Sequence, residues 1–171
     1  MKKYLLLFIF LIFNNFCLAE NRVVYLDVFF LLNESIAGKD LNQKLLKLNS
    51  KNIEEFKKIE LKIKKNDDDL LKKKNIIKED QYKKEVALLR QEYKSFQELM
   101  NKKNSNLNIL KDNSTRVILK NINDILADYS IENSISMIIE KKNIVIGKSD
   151  LDITNEILDL LNKKITTVEL K

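Results

Sequence analysis

Histidine, tryptophan and proline are absent from this sequence, cysteine occurs once, at Cys17, and glycine only twice, at Gly38 and Gly147. Each absence removes a class of function. Without histidine, and with one cysteine, the usual ligand set of a structural zinc site and the commonest general base are both missing. A lone cysteine also rules out an intramolecular disulfide framework. Two isolated glycines cannot make a glycine-rich phosphate loop. The residue inventory therefore argues against an enzyme and implies no cofactor. Only Gly38 falls between Val28 and Tyr129, so that stretch has almost no helix breakers.

What is present begins with a leader. Met1-Lys2-Lys3 is a short positive start, Tyr4 to Phe13 is unbroken apolar sequence, and Cys17-Leu18-Ala19 supplies small residues at the positions a signal peptidase reads. The layout predicts a signal peptide over residues 1–19, cut between Ala19 and Glu20. The apolar run is far shorter than the ~20 residues a membrane-spanning helix needs. Lipid attachment at Cys17 is disfavoured because Asn14 and Phe16 flank it badly. Loss of Lys2 and Lys3 lowers the formal net charge from +6 to about +4. Export places the mature chain outside the cytoplasm, and the residual charge is compatible with anionic partners without requiring them.

The mature chain falls into a β-rich body, residues 20–28 and 130–171, and a helical insert, residues 29–129. Arg22-Val-Val-Tyr-Leu-Asp-Val28 suits a buried strand, and so do Ile135 to Ile139 and Ile144 to Ile146. The last two are separated by Lys141-Lys142-Asn143, the length of a hairpin loop. Ile153, Ile157, Leu160 and Leu161 share one face of a C-terminal helix, capped by Asp152 or Thr154. Asp27, an acid beside an apolar strand, reads as the cap of a helix starting at Val28 and not as a catalytic group. Asn33-Glu-Ser35 and Asn113-Ser-Thr115 match glycosylation sequons, which an asparagine-rich sequence produces by chance.

The middle carries the strongest pattern. Tyr82, Val86, Leu89, Tyr93, Phe96, Met100, Lys103, Leu107, Leu110, Ser114 and Val117 recur at steps of four and three, which is a coiled-coil seam. Leu41, Leu45, Leu48, Asn52, Phe56, Ile59, Ile63, Asn66 and Leu70 form a second stripe with an irregular step near Asn52. Residues 72–80 break both registers and mark the tip of an antiparallel hairpin. The arms on either side, Val28 to Lys74 and Glu79 to Tyr129, are nearly equal in length, roughly 70–75 Å at ~1.5 Å per residue. Such a hairpin returns the chain to its starting point, where the first strand can meet the later ones. Asn52, Asn66, Lys103 and Ser114 either fix the register of the seam or leave it loose; the sequence supports both.

The fold class expected is therefore α+β: a small β body carrying a long coiled-coil hairpin and oligomerising through its strands. The strands are apolar at successive positions, so both sheet faces need cover, and one C-terminal helix can cover only one. At the tip, Lys72, Lys73, Lys74 and Lys78 are candidates for contact with acidic client chains or anionic lipid headgroups. The plainer alternative is a solvated turn, partly balanced by Asp67, Asp68 and Asp69. Acids interleaved with the lysines argue against nucleic-acid binding.

These parts, in this order, resemble the Skp/OmpH family of periplasmic chaperones. The run from Val24 to Lys39 is similar to that family's opening strand and helix. Ile135 to Glu140, Ile144 to Gly147 and Asp152 to Thr154 are similar to its closing hairpin and helix. With the leader and the coiled coil, the resemblance spans essentially the whole chain, although the arms are unusually rich in lysine and asparagine. It implies a homotrimer with helical tentacles that acts in the periplasm. Such a protein would hold unfolded outer-membrane β-barrel proteins without ATP and prevent their aggregation. A structural tether of the cell envelope would share the hairpin and is the alternative reading.

Overall fold

The computed structural model describes residues 22–171; the expected cleavage site at Ala19 and Glu20, with the rest of the leader, lies outside the described residues. Strand β1, Arg22–Leu26, is buried from Val24 onward. Asp27 ends it and caps helix α1, Val28–Glu34, by accepting the Phe30 N–H on its carboxylate at 2.9 Å. That bond satisfies an amide that the first helical turn cannot pair internally.

The helix does not run on unbroken. Ser35 is extended (φ −62°, ψ 153°) and starts helix α2, Ile36–Lys73, with its hydroxyl accepting the Gly38 N–H at 3.1 Å. A second free amide, that of Ile36, donates to the Asn162 side chain at 2.8 Å. The kink drives the Leu32 carbonyl against Gly38, where a Cβ would lie 1.9 Å from the oxygen. Glycine is required here by space, not by dihedral freedom.

Helix α2 has 38 residues and helix α3, Glu79–Glu132, has 54. At ~1.5 Å per residue they are about 57 Å and about 80 Å long. They lie antiparallel, joined by a turn over 74–78, and α3 opens with Glu79 and Asp80 beside its positive end. All nine positions of the α2 stripe, from Leu41 to Leu70, are buried or half-buried. On α3 two expected seam residues face outward: Tyr93 is 52% and Val117 46% exposed. Glu92 takes the inward place beside Tyr93, where it meets Asn66, and near the root the seam steps by four from Ser114 to Ile118 and Ile122 before a step of three to Ile125. The change of step follows the broader apolar face that α3 must present once it enters the body.

Past α3, Asn133 and Ser134 reverse the chain. Ser134 holds a left-handed conformation (φ 52°), and strand β2, Ile135–Glu140, then pairs parallel with β1, placing Val24 opposite Ile138 and Leu26 opposite Glu140. The helical hairpin is thus the crossover connection that a parallel pair requires. The strand expected over Ile144 to Ile146 does not form. A short 3-10 turn at Lys141–Asn143 carries the chain away from β2, and the sheet described has two strands. The following segment is held by Tyr25 instead: Gly147 packs on its ring and the Tyr25 hydroxyl donates to the Lys148 carbonyl at 3.1 Å. Apolar β-branched residues favour a strand only where a pleated partner surface exists to receive them.

A second 3-10 turn, Ser149–Leu151, leads to helix α4, Thr154–Lys164. Ile157 and Leu161 of α4 join Val24, Leu31, Ile118 and Ile122 at the centre of the core, where all six are at most 1% exposed. The core therefore sits at the root of the hairpin. Along the distal arms only Ile63 and Leu70 are comparably buried apolar residues. Gly38→Ala should destabilise the fold by about 1–3 kcal/mol, because the obstacle is a backbone oxygen that cannot rotate away. Urea unfolding checks this; an unchanged midpoint would show that the α1–α2 junction is looser than described.

Candidate functional surface along the arms

The arms meet through a narrow seam, and polar contacts decide which residues face each other across it. Lys103 donates to Glu55 at 2.7 Å and Asn66 donates to Glu92 at 2.9 Å. Phe56 and Phe96 meet edge to face with ring centroids 6.1 Å apart. Exposed ion pairs contribute at most about 1 kcal/mol, so these contacts specify register more than they stabilise. Of the polar seam positions, Asn66 and Lys103 are paired across the arms, while Ser114 bonds the C-terminal tail. Between those ties the seam opens into a cleft of about 520 Å³, lined in part by Ile59, Ile63, Leu88, Phe96 and Leu99.

The outer faces are not uniformly polar. Leu46, Ile53, Leu61, Tyr93 and Ile109 are each at least half exposed, dispersed along both arms among lysines. Scattered apolar residues of this kind are normal singly, but here they recur over the whole length of two thin helices. The result is a long surface able to make many weak apolar contacts, with cations between them.

At the tip the four candidate lysines divide. Lys72 pairs with Asp69 at 3.2 Å, and Lys73 reaches across to Glu85 at 3.5 Å. Lys74 and Lys78 have no carboxylate partner among the described residues. Ile76 lies between them and is 79% exposed. The tip is thus a small amphipathic knob. Sequence reasoning marked its cations and passed over its apolar residue.

The body presents its own apolar surface: Phe29, Ile131, Met137, Val145 and Ile146 are all exposed. What fixes the 148–154 segment beneath that surface is a hydrogen-bonded cluster around Asp152. The Thr154 hydroxyl accepts the Asp27 N–H at 2.9 Å and itself donates to the Asp152 carboxylate. That carboxylate also accepts the Thr154 N–H at 3.0 Å and the Lys141 ammonium at 2.9 Å, while Ile153 donates its N–H to the Tyr25 carbonyl at 2.9 Å. Burial by itself would raise the Asp152 carboxyl, but the bonds from Thr154 and Lys141 outweigh it and hold the group below the usual carboxylate range. The bond from Lys44 and that from Thr167 likewise lower Asp40 at the root of α2. Asp152 thus caps α4 by accepting the Thr154 amide, although Ile153 occupies the cap position itself.

A thin antiparallel helical hairpin rooted in a small α/β core defines a class of protein whose surface lies in its arms, and no helix among the described residues is long and apolar enough to cross a membrane. The family described as outer membrane protein (OmpH-like) matches residues 22–161. The chain belongs to that OmpH-like family. Its fold is similar to that of a crystal structure from Caulobacter crescentus CB15 described as a candidate outer membrane chaperone (OmpH-like). The TM-score is 0.80 at 15% identity, over 86% of this chain and 88% of that one. None of the curated proteins compared with this chain matches it.

Asp152→Asn should cost about 1.5–3 kcal/mol at neutral pH, the scale of a hydrogen bond to a charged group. The native carboxyl is depressed, so its contribution is present above the unfolded value of about 3.9 and is lost as pH falls through the lower native one. Urea midpoints of the two proteins should therefore converge in acid. A gap that does not narrow between about pH 7 and about pH 3 would contradict the assignment.

Proposed function

We propose that this chain is an exported, ATP-independent holdase of the periplasm that binds unfolded outer-membrane β-barrel proteins and prevents their aggregation. Membership of the OmpH-like family supports the class. The observation that carries the reading is the pair of long arms whose exposed apolar residues alternate with lysines along their whole length. Unfolded barrel proteins expose apolar strand faces and open strand edges that only a membrane satisfies, so in water they aggregate. Many weak contacts distributed over long, thin arms can shield such a chain and still release it. Release then follows from the greater stability of the folded client in the membrane, by mass action and without a nucleotide.

A homotrimer joined through the body completes the proposal. Met137 of β2 and the uncovered Val145 and Ile146 are the apolar groups that such an assembly would bury. Grouping the arms of several copies would enclose a space in which the outer faces of α2 and α3 surround one client. Cations at the tip would meet acidic clients or anionic headgroups first. Because exposed charges are screened beyond ~8 Å at physiological salt, they would speed capture more than they strengthen holding.

The test is light scattering during dilution of an urea-unfolded outer-membrane barrel protein into buffer. A holdase suppresses the signal at stoichiometric ratios, whereas a structural tether leaves it unchanged and would overturn the proposal. The variant with Lys72, Lys73, Lys74 and Lys78 replaced by Gln should suppress aggregation less well at low salt and match the parent at high salt. Equal performance at both would reduce the tip lysines to a solvated turn.

A further inference from the structure

Beyond α4 the chain does not leave the molecule. Residues 165–171 turn back as an extended strap across the root of the hairpin, beyond the segment that the family matches. Val168 is 5% exposed and belongs to the same core cluster as Leu41, Leu45 and Ile118, with Ile165 and Leu170 half-buried against it. The rest of the strap is held by its main chain and by the Thr167 hydroxyl. Lys44 of α2 donates to the Val168 carbonyl at 2.9 Å, Ser114 of α3 to the Glu169 carbonyl at 3.1 Å, and Asn113 to the Lys171 carbonyl at 3.0 Å. Thr167 bridges the Lys44 ammonium at 2.7 Å and the Asp40 carboxylate at 2.6 Å.

Two features set this contact apart from ordinary packing. Three carbonyls are read by side chains from both arms, while one side chain, Val168, fills the apolar position. Recognition of that form depends chiefly on an extended backbone and one β-branched or aliphatic residue, with the Thr167 hydroxyl adding a bond to each of Lys44 and Asp40. Further, past Ile165 the strap makes no backbone–backbone hydrogen bond with the rest of the described chain, so apart from the burial of Val168 its anchorage is a set of mostly exposed side-chain bonds. Such an anchorage opens locally at low free energy.

We infer that the cleft between α2 and α3 at the hairpin root, framed by Asp40, Lys44, Asn113 and Ser114, is a binding site for extended polypeptide and is occupied in cis by the chain's own residues 165–171. An extended apolar segment of an unfolded protein satisfies the same requirements and competes with the strap for the cleft. That the competitor is a client rests on the chaperone reading; the site itself does not.

The test measures fluorescence anisotropy of a labelled peptide with the sequence of residues 165–171, added to the intact chain and to full-length Val168→Asp. The substituted strap should vacate the cleft, so that the peptide binds it about tenfold or more tightly than the parent, as expected where a bound competitor leaves the site rarely free. A peptide carrying Asp at the valine position should not bind. A milder full-length variant, Thr167→Ala with Leu170→Ser, should give an intermediate gain, and circular dichroism melts establish that each variant is folded. Equal peptide affinity for parent and folded variants, or no binding to either variant, overturns the inference. So does loss of the fold in both variants, which would make the strap a fixed part of the core. Peptide binding without suppression of aggregation would sink the holdase reading and leave the site standing.

Discussion

Everything in this molecule depends on two helices far longer than the body that carries them lying antiparallel along their length. β1 and β2 are neighbours in the sheet but are separated in sequence by the whole of α1, α2 and α3. They can meet only if the outgoing helix is retraced by the returning one. The narrow seam from Leu41 to Leu70 against Tyr82 to Ser114 supplies that retracing, and Asn66–Glu92 and Lys103–Glu55 hold it in one register. A slip by one turn would misplace the end of α3 by about 5.4 Å, and Ile118, Ile122 and Ile125 would no longer face Leu31 and α4.

Cohesion and exposure are consequently separated in space. Fully burying a Leu or Ile side chain contributes about 1.5–3 kcal/mol, and such residues concentrate where α1, α3, α4 and β1 converge. The arms beyond bury little and leave Leu46, Leu61, Leu88 and Ile109 in water. The holdase role proposed above would need this division. The scaffold holds itself together at one end and spends none of its contact residues in doing so at the other.

Most of the arm architecture is legible in the sequence, because helical periodicity sustained over many turns is a strong signal. The α2 stripe faces inward at every expected position, whereas on α3 Tyr93 and Val117 turn out because Glu92 and Ile118 occupy the inward places. Local devices carried weaker signals. Ser35 looked like part of a chance sequon, yet it caps α2 and sets the kink that only Gly38 accommodates. Ile144 to Ile146 has strand composition, but composition records what a surface can accept and not whether a partner surface is there. The strap at 165–171 has no period at all, since a segment bound through its carbonyls imposes almost no pattern on its side chains. Of the tip lysines, the sequence gives position alone; that Lys72 and Lys73 are paired, and Lys74 and Lys78 are not, follows from where the turn places Asp69 and Glu85.

The central claim is that stability resides at the root and falls off toward the tip. Native-state hydrogen exchange along α3 tests it most directly, because one continuous helix samples both regions. Amides near Ile118, Ile122 and Ile125 should exchange only through global unfolding. Those near Val86 and Leu89 should open locally, with protection declining steadily between the two. Uniform protection from Val86 to Ile125 would contradict the account, since the arms would then be as firmly held as the core they extend from.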